Sequence, residues 1–331
     1  LTTRWLILTD NELLSLPNSI GDLKLLQKFM LSGNKLKSLP ESIVKCTNLE
    51  LLRIAANDLA IFPKSLLSLP KLSWLAYSGN PVCKKHPDAN QGWKIVDWNE
   101  LFIKELLGEG ASGNIYKAVY DEKEVAIKVF KGEMTSDGLP QEEMDINISI
   151  GQHENLVDVL AQVKNHPQNK DALMLELIPS RFFNLGLPPS LESCTRDVYP
   201  SDFKLSTKAV LKIVKAMASA GVHIHKRGIM HGDFYAHNIM IDVDANAILG
   251  DFGGASYYES QDFELNDSLE KLEIRAFGCL IEELLELSKD DNEDSNIRDF
   301  LFELQKLCFN EIVEKRPSFK EILEKLEEKA R

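Results

Sequence analysis

Three glycines, a lysine, two aspartates and an asparagine stand at spacings suited to handling a polyphosphate. Gly108, Gly110 and Gly113 form a Gly-x-Gly-x-x-Gly run. Lacking Cβ atoms, such a loop can bring its backbone close to phosphate oxygens. Alone the run is weak evidence, because it also opens dinucleotide-binding folds. Val125-Ala126-Ile127-Lys128 follows, then His231-Gly232-Asp233 with Asn238, then Asp251-Phe252-Gly253. In that order the pieces make a phosphate cradle, a charge clamp, a base and two metal ligands. Carboxylates gathered this way are costly without a cation.

Periodicity indicates the elements that must hold them. Residues 102–107 read as a strand entering the glycine loop, 115–120 as the return strand and 125–130 as a third. Residues 141–151 read as a helix, with Met144, Ile148 and Gly151 toward one face, and 173–177 as a strand. Pro179, Pro188, Pro189 and Pro200 mark 179–205 as an irregular insertion. Ser206 is placed to cap a helix carrying Val210, Ile213, Val214 and Met217. Residues 270–287 and 318–328 are further helices. Strands first and helices later predict an α+β arrangement.

From about residue 100 to 330 the set resembles a eukaryotic-type protein kinase. The resemblance implies a two-lobed α+β fold, with 100–178 as the N-lobe and 179–331 as the C-lobe. It implies ATP and Mg2+ as ligands, and transfer of the γ-phosphoryl group to a protein serine or threonine, with tyrosine left open. Gly108, Gly110 and Gly113 would then cover the phosphates. Lys128 would contact the α- and β-phosphates. Glu143 is the first candidate for its carboxylate partner and Glu142 the second. Ile115 and Ala126 would border adenine, Met240 would floor its pocket, and Glu176 to Ile178 would form the hinge beside Leu175 as gatekeeper. Asp233 would be the catalytic base, and Asn238 and Asp251 the magnesium ligands. His231 is expected to bond backbone near Asp251. His223, His225 and His237 offer no metal geometry.

The first ninety residues carry a second signal. Asn11, Asn34, Asn57 and Asn80 recur every 23 residues, with apolar residues three and five before and two after each. This resembles the leucine-rich repeat L-x-x-L-x-L-x-x-N-x-L. The resemblance implies an α/β repeat solenoid over residues 1–82, with the asparagines turned inward as a ladder. The chain opens inside a repeat and without Met, so truncation is expected. In such arrays the outward strand positions carry function: Trp5, Ile7, Thr9; Lys28, Met30, Ser32; Leu51, Arg53, Ala55; Trp74, Ala76, Ser78. This concave face is the candidate surface for a protein partner; the competing reading packs Trp74 on the kinase-like part. Residues 83–99 read as a linker packed down by Trp93 and Trp98.

A net charge of −13 argues against nucleic acid and anionic membranes as partners. No apolar run is long enough to span a bilayer. The five cysteines include no Cys-x-x-Cys pair, so neither zinc nor a disulfide framework is supported, and a cytoplasmic location is expected.

Three departures from the kinase pattern stand out. Gly232 replaces the arginine that answers a phosphate on the activation segment, which predicts activity without priming at Ser256, Tyr257 or Tyr258. Tyr235 stands where Ser/Thr kinases carry a lysine that stabilises charge on the transferred phosphoryl group. Losing such a charge costs roughly 2–4 kcal/mol of transition-state stabilisation, so another cation substitutes or the enzyme is slow or dead. No Ala-Pro-Glu appears, and only about twenty residues separate Asp251 from Glu273, which opens a stretch resembling the next helix. Arg316, in Arg316-Pro317-Ser318-Phe319, therefore lacks its usual glutamate partner. The rival readings are a pseudokinase scaffold and a small-molecule phosphotransferase, which shares His-Gly-Asp-x-x-x-x-Asn. The intact Asp-Phe-Gly, Val-Ala-Ile-Lys and Arg-Pro-Ser-Phe favour a protein kinase.

Overall fold

In the computed structural model, residues 2–83, 93–110, 112–132, 134–258, 263–288 and 294–329 are described. The 23-residue spacing becomes four short parallel strands in register: β1 (Trp5–Ile7), β2 (Lys28–Met30), β3 (Leu51–Arg53) and β4 (Trp74–Ala76). Asn34 shows why the asparagines recur. Its Oδ1 accepts from the Leu13 amide at 2.9 Å, and its Nδ2 donates to the Leu8 and Leu31 carbonyls at 2.8 and 2.7 Å. Asn57 and Asn80 repeat the pattern one and two strands later. Phe29, Leu52 and Leu75, five before successive asparagines, are fully buried. The return segments are 3-10 helices entered from Pro17, Pro40 and Pro63, rather than the α-helices of the expected α/β repeat. Proline supplies the fixed φ that starts each turn, and the short period leaves no room for a longer helix.

Strand β5 (Ile95–Asp97) lies in the predicted linker but adds to a larger sheet, pairing in parallel with Gln162 to Lys164. The rest of that sheet is β6 (Phe102–Glu109), β7 (Gly113–Tyr120), β8 (Lys123–Phe130), β9 (Val159–Lys164) and β10 (Ala172–Glu176), in the order β5-β9-β10-β8-β7-β6. Trp93 and Trp98 pack against its two faces, as expected. Linker residues 84–92 lie outside the described residues. Helix α1 (Pro140–Ile150) sits between β8 and β9, with proline in its first turn and Gly151 ending it at φ 69°.

Short β11 (Phe183–Asn184) interrupts the irregular 179–205 stretch, and α2 (Thr207–His225) follows. The Ser206 hydroxyl accepts from the Ala209 amide, capping α2 as its sequence predicts. Four small strands come next: β12 (Ile229–Met230), β13 (Ile239–Ile241), β14 (Ala247–Leu249) and β15 (Ser256–Tyr257). Helices α3 (Phe263–Leu287), α4 (Ser295–Cys308) and α5 (Phe319–Lys329) complete the chain. Helix α3 starts seven residues earlier than expected, because Leu265 and Leu269 pack onto the cluster that holds Tyr258. Helix α4 was not anticipated; Leu301, Leu304 and Cys308 give it a buried stripe.

Met30, Leu51 and Trp74 share one buried cluster with Val214 of α2 and Phe277 of α3. The part of the expected partner face on β3 and β4, with Met30 of β2 and Ser32 just after it, is therefore covered by the chain's own C-terminal half, whereas Ile7 on β1 is exposed. Ser32, Arg53, Ala55, Trp74, Ala76 and Ser78 are all at most 3% exposed. Among the described residues no helix is long and apolar enough to cross a membrane.

Candidate functional site

Strand β8 alternates, so Val125, Ile127 and Val129 enter one core while Ala126, Lys128 and Phe130 face α1. Lys128 Nζ donates to the Glu143 carboxylate in the first turn of α1, with the side chains 12% and 2% exposed. Glu143 is thus the partner, and Glu142 is not. Burial alone would lower the Lys128 ammonium; Glu143, then Asp251, outweigh it and hold it above the ordinary lysine value. A Cβ built on Gly253 would lie 3.3 Å from Asp251 Oδ1 and 3.7 Å from Glu143 Oε2, which puts the ion pair and Asp251 side by side.

The glycine loop joins β6 to β7. Gly113 is required sterically, since a Cβ there would sit 2.6 Å from the Val129 carbonyl. At Gly108 a Cβ would meet nothing within 4 Å, and at Gly110 only the Gly113 carbonyl at 3.6 Å. Ile115 lies opposite Lys128 in the sheet and packs with Ala126 and Leu175. Half-buried Met240 is on β13, outside that cluster. The Glu176 amide is spent on the Asp158 carbonyl at 2.9 Å, so a purine could engage Glu176 only through its carbonyl.

The loop carrying Asp233 is held from below. Glu273 of α3 accepts from the His231 and Gly232 amides at 3.0 and 2.6 Å and bonds His225 Nε2 at 2.8 Å. His231 Nε2 meets the Gly250 carbonyl at 3.0 Å, the structural role expected of it. Asn238 Nδ2 donates to the Asp233 backbone carbonyl and to Oδ2, both at 2.9 Å. Both bonds use the Asn238 amide nitrogen, so its Oδ1 takes no part in them. Asp251 is exposed and left-handed at φ 53°, a conformation costing a non-glycine residue roughly 1–2 kcal/mol and typical of functional sites. His237 is fixed by Asp197 at 2.7 Å.

Arg53 of β3 completes the surroundings of Asp233. Its guanidinium donates to Asp233 Oδ1, to Asp137 at 2.7 Å and to the Gly232 carbonyl at 2.9 Å. Burial would raise the Asp233 carboxyl, but Arg53, ahead of His237 and His231, holds it below the ordinary aspartate value. Gly232 has φ 71°, and a Cβ there would stand 2.6 Å from the Leu75 carbonyl of β4. Tyr235 is 3% exposed and lies under Trp74. Arg316, without a glutamate, donates to the carbonyls of Asn310, Lys271 and Pro70. Ser256, Tyr257 and Tyr258 are buried, and each hydroxyl is hydrogen-bonded.

The structure thus brings Lys128, Glu143, Asp233, Asn238 and Asp251 to one site, with Gly108, Gly110, Gly113, Ile115 and Ala126 above it. Sequence reasoning placed Arg53 on a strand face without linking it to Asp233, and it missed Asp137. The available signal was the pair of departures at Gly232 and Tyr235, which implied that something else fills that space.

Residues 102–271, half of the chain, match the protein kinase domain family model. The chain belongs to the protein kinase family, and the fold is that family's two-lobed one. It is 28% identical over 276 residues to a LIM domain-containing serine/threonine-protein kinase of Dictyostelium discoideum, covering 71% of this chain and 40% of that protein. It is 28% identical over 166 residues to the mouse proto-oncogene serine/threonine-protein kinase mos, covering 49% and 48%. A serine/threonine-protein kinase/receptor of Acanthamoeba polyphaga mimivirus is 31% identical over 169 residues, half of this chain and 9% of that protein. The chain spans less than half the length of each of these relatives.

Proposed function

We propose that the chain is an ATP-dependent protein kinase that phosphorylates serine or threonine. The observation that carries this reading is the buried Lys128–Glu143 pair beside Asp251 and the Asp233–Asn238 hydrogen bond. Gly108 and Gly110 present bare backbone with open space beside it, which suits close approach of phosphates. Ile115, Ala126 and Leu175 offer an apolar wall for adenine, the Ile178 backbone and the Glu176 carbonyl offer polar hinge groups, and Met240 offers a floor.

In the reaction, the substrate hydroxyl oxygen bonds to the γ-phosphorus, the bond to the β–γ bridging oxygen breaks, and ADP leaves with that electron pair. Asp233 takes the hydroxyl proton. Its carboxylate is oriented by Asn238, so the accepting oxygen is fixed before the substrate arrives. Lys128, prevented from wandering by Glu143, holds the α- and β-phosphates. The Asp251 carboxylate and the Asn238 amide oxygen are hard oxygen donors that suit a magnesium ion retaining its own waters. When bound, that ion neutralises charge on the β- and γ-phosphate oxygens.

We also read residues 1–82 as leucine-rich repeats, a linker at 83–99 and kinase lobes at 100–178 and 179–331. The asparagine ladder and parallel register support the first. A protein partner would use the exposed β1 end of the strand face or another surface of the repeats.

The test is transfer of labelled phosphate from Mg-ATP to protein. Asp233→Asn should abolish transfer and keep ATP binding. Lys128→Ala should lose the Mg-dependent thermal stabilisation by ATP. Transfer to amino-alcohols but not to protein, or stabilisation unchanged in Lys128→Ala, would refute the reading.

A further inference from the structure

Tyr235 stands where a lysine would put a positive charge beside Asp233, and its ring is buried under Trp74. A guanidinium nevertheless bonds Asp233 Oδ1, and it comes from β3, 180 residues earlier in the chain. We propose that Arg53 supplies the positive charge at the point of phosphoryl transfer, so that the N-terminal strand array is a working part of the active site. This rests on the kinase reading above.

Three observations favour this role over that of a plug. First, the contact is made from the buried side: the Arg53 side chain is 3% exposed, whereas Asp233 keeps 16% and Asp251 is open to solvent. Arg53 thus leaves the outer edge of the base to the substrate. Second, Arg53 is gripped from both sides. Asp137, on the segment between β8 and α1, and the Gly232 carbonyl each take a further donor, which holds the charge in place as preorganised charge stabilisation requires. Third, the docking is built in. Gly232 lacks the Cβ that would strike Leu75, Ser32 Oγ donates to the Ser136 carbonyl at 2.6 Å, and the Tyr77 amide donates to Ser256 Oγ at 3.1 Å. A contact meant to release would not be buried over several successive strands.

The array also contributes to the site of Arg316, which lacks its usual glutamate. The Pro70 carbonyl takes one donor of Arg316 at 2.9 Å. Both kinase positions left without their usual partner thus bond to the N-terminal repeats, Asp233 through Arg53 and Arg316 through one of its three carbonyl acceptors.

The experiment compares full-length wild type with Arg53→Met, Arg53→Lys and Arg53→Met/Asp137→Asn. The double variant removes the second unpaired carboxylate, which guards against misfolding. Both Met variants should lose roughly 10²–10³-fold in kcat, with KM for ATP and Mg-ATP stabilisation within about threefold of wild type. Arg53→Lys should recover at least part of the loss, since it restores the charge without the planar fork. Unchanged or increased kcat in the Met variants, or a rise in KM alone, would overturn the proposal while leaving the kinase reading intact. An inactive wild type would overturn both.

Discussion

The indole of Trp74 lies flat on the ring of Tyr235, centroids 4.2 Å apart and planes 6° apart, and its N–H reaches the Phe234 carbonyl at 3.2 Å. One residue belongs to the N-terminal strand array and the other follows the candidate base by two positions. The stack ties the tyrosine that replaces a catalytic-loop lysine to the array that delivers Arg53.

Trp74→Ala should therefore destabilise the full chain by about 3–5 kcal/mol, as removal of a fully buried large ring does. Trp74→Phe should cost less, keeping an aromatic face while losing the hydrogen bond to Phe234, worth about 1 kcal/mol. Urea unfolding of the three proteins checks this. An unchanged midpoint for Trp74→Ala would mean the strand face is not docked.

Gly232 should tolerate no side chain. Its φ of 71° disfavours any L-residue, and a Cβ would stand 2.3 Å from the Gly254 carbonyl and 2.6 Å from that of Leu75. Backbone atoms on both sides cannot swing away. Gly232→Ala should cost more than the roughly 1–2 kcal/mol of left-handed strain alone, and amide exchange in β4 should quicken as the array lifts. Restoring the kinase arginine here should disrupt the protein rather than add a phosphate sensor. Consistently, phosphatase-treated protein should keep full turnover, since Ser256, Tyr257 and Tyr258 are buried.

Acid stability should depend on Glu273. Burial would raise its carboxyl, but the His225 hydrogen bond, with His231 and the Gly232 amide, holds it below the ordinary glutamate value. A depressed folded value means the stabilisation is complete above the unfolded value, roughly pH 4, and is lost as pH falls through the folded one. Glu273→Gln should lower stability at neutral pH and flatten the acid limb of the stability curve. His237 behaves oppositely. Burial lowers it, yet Asp197 raises it overall, so its contribution is complete below about pH 6.5 and fades as pH rises through the folded value. Thermal melts of Glu273→Gln and His237→Gln across pH should show the two opposite slopes; parallel curves would contradict the assignments.

Local chemistry was readable from residue order alone. The strand–loop–strand around Gly108 to Lys128, the Ser206 cap and the asparagine ladder depend on neighbours in the chain or on a fixed period, and each is present. The Lys128–Glu143 pair was legible because a strand and the following helix leave few choices of register. What no spacing could reveal was that Arg53 meets Asp233, that Trp74 covers Tyr235, or that Pro70 takes a donor from Arg316. The Arg53–Asp233 and Pro70–Arg316 contacts join residues 180 and 246 apart in the chain. They arise because an apolar strand face and a catalytic loop stripped of its arginine and lysine bury each other, and that complementarity exists only between folded surfaces.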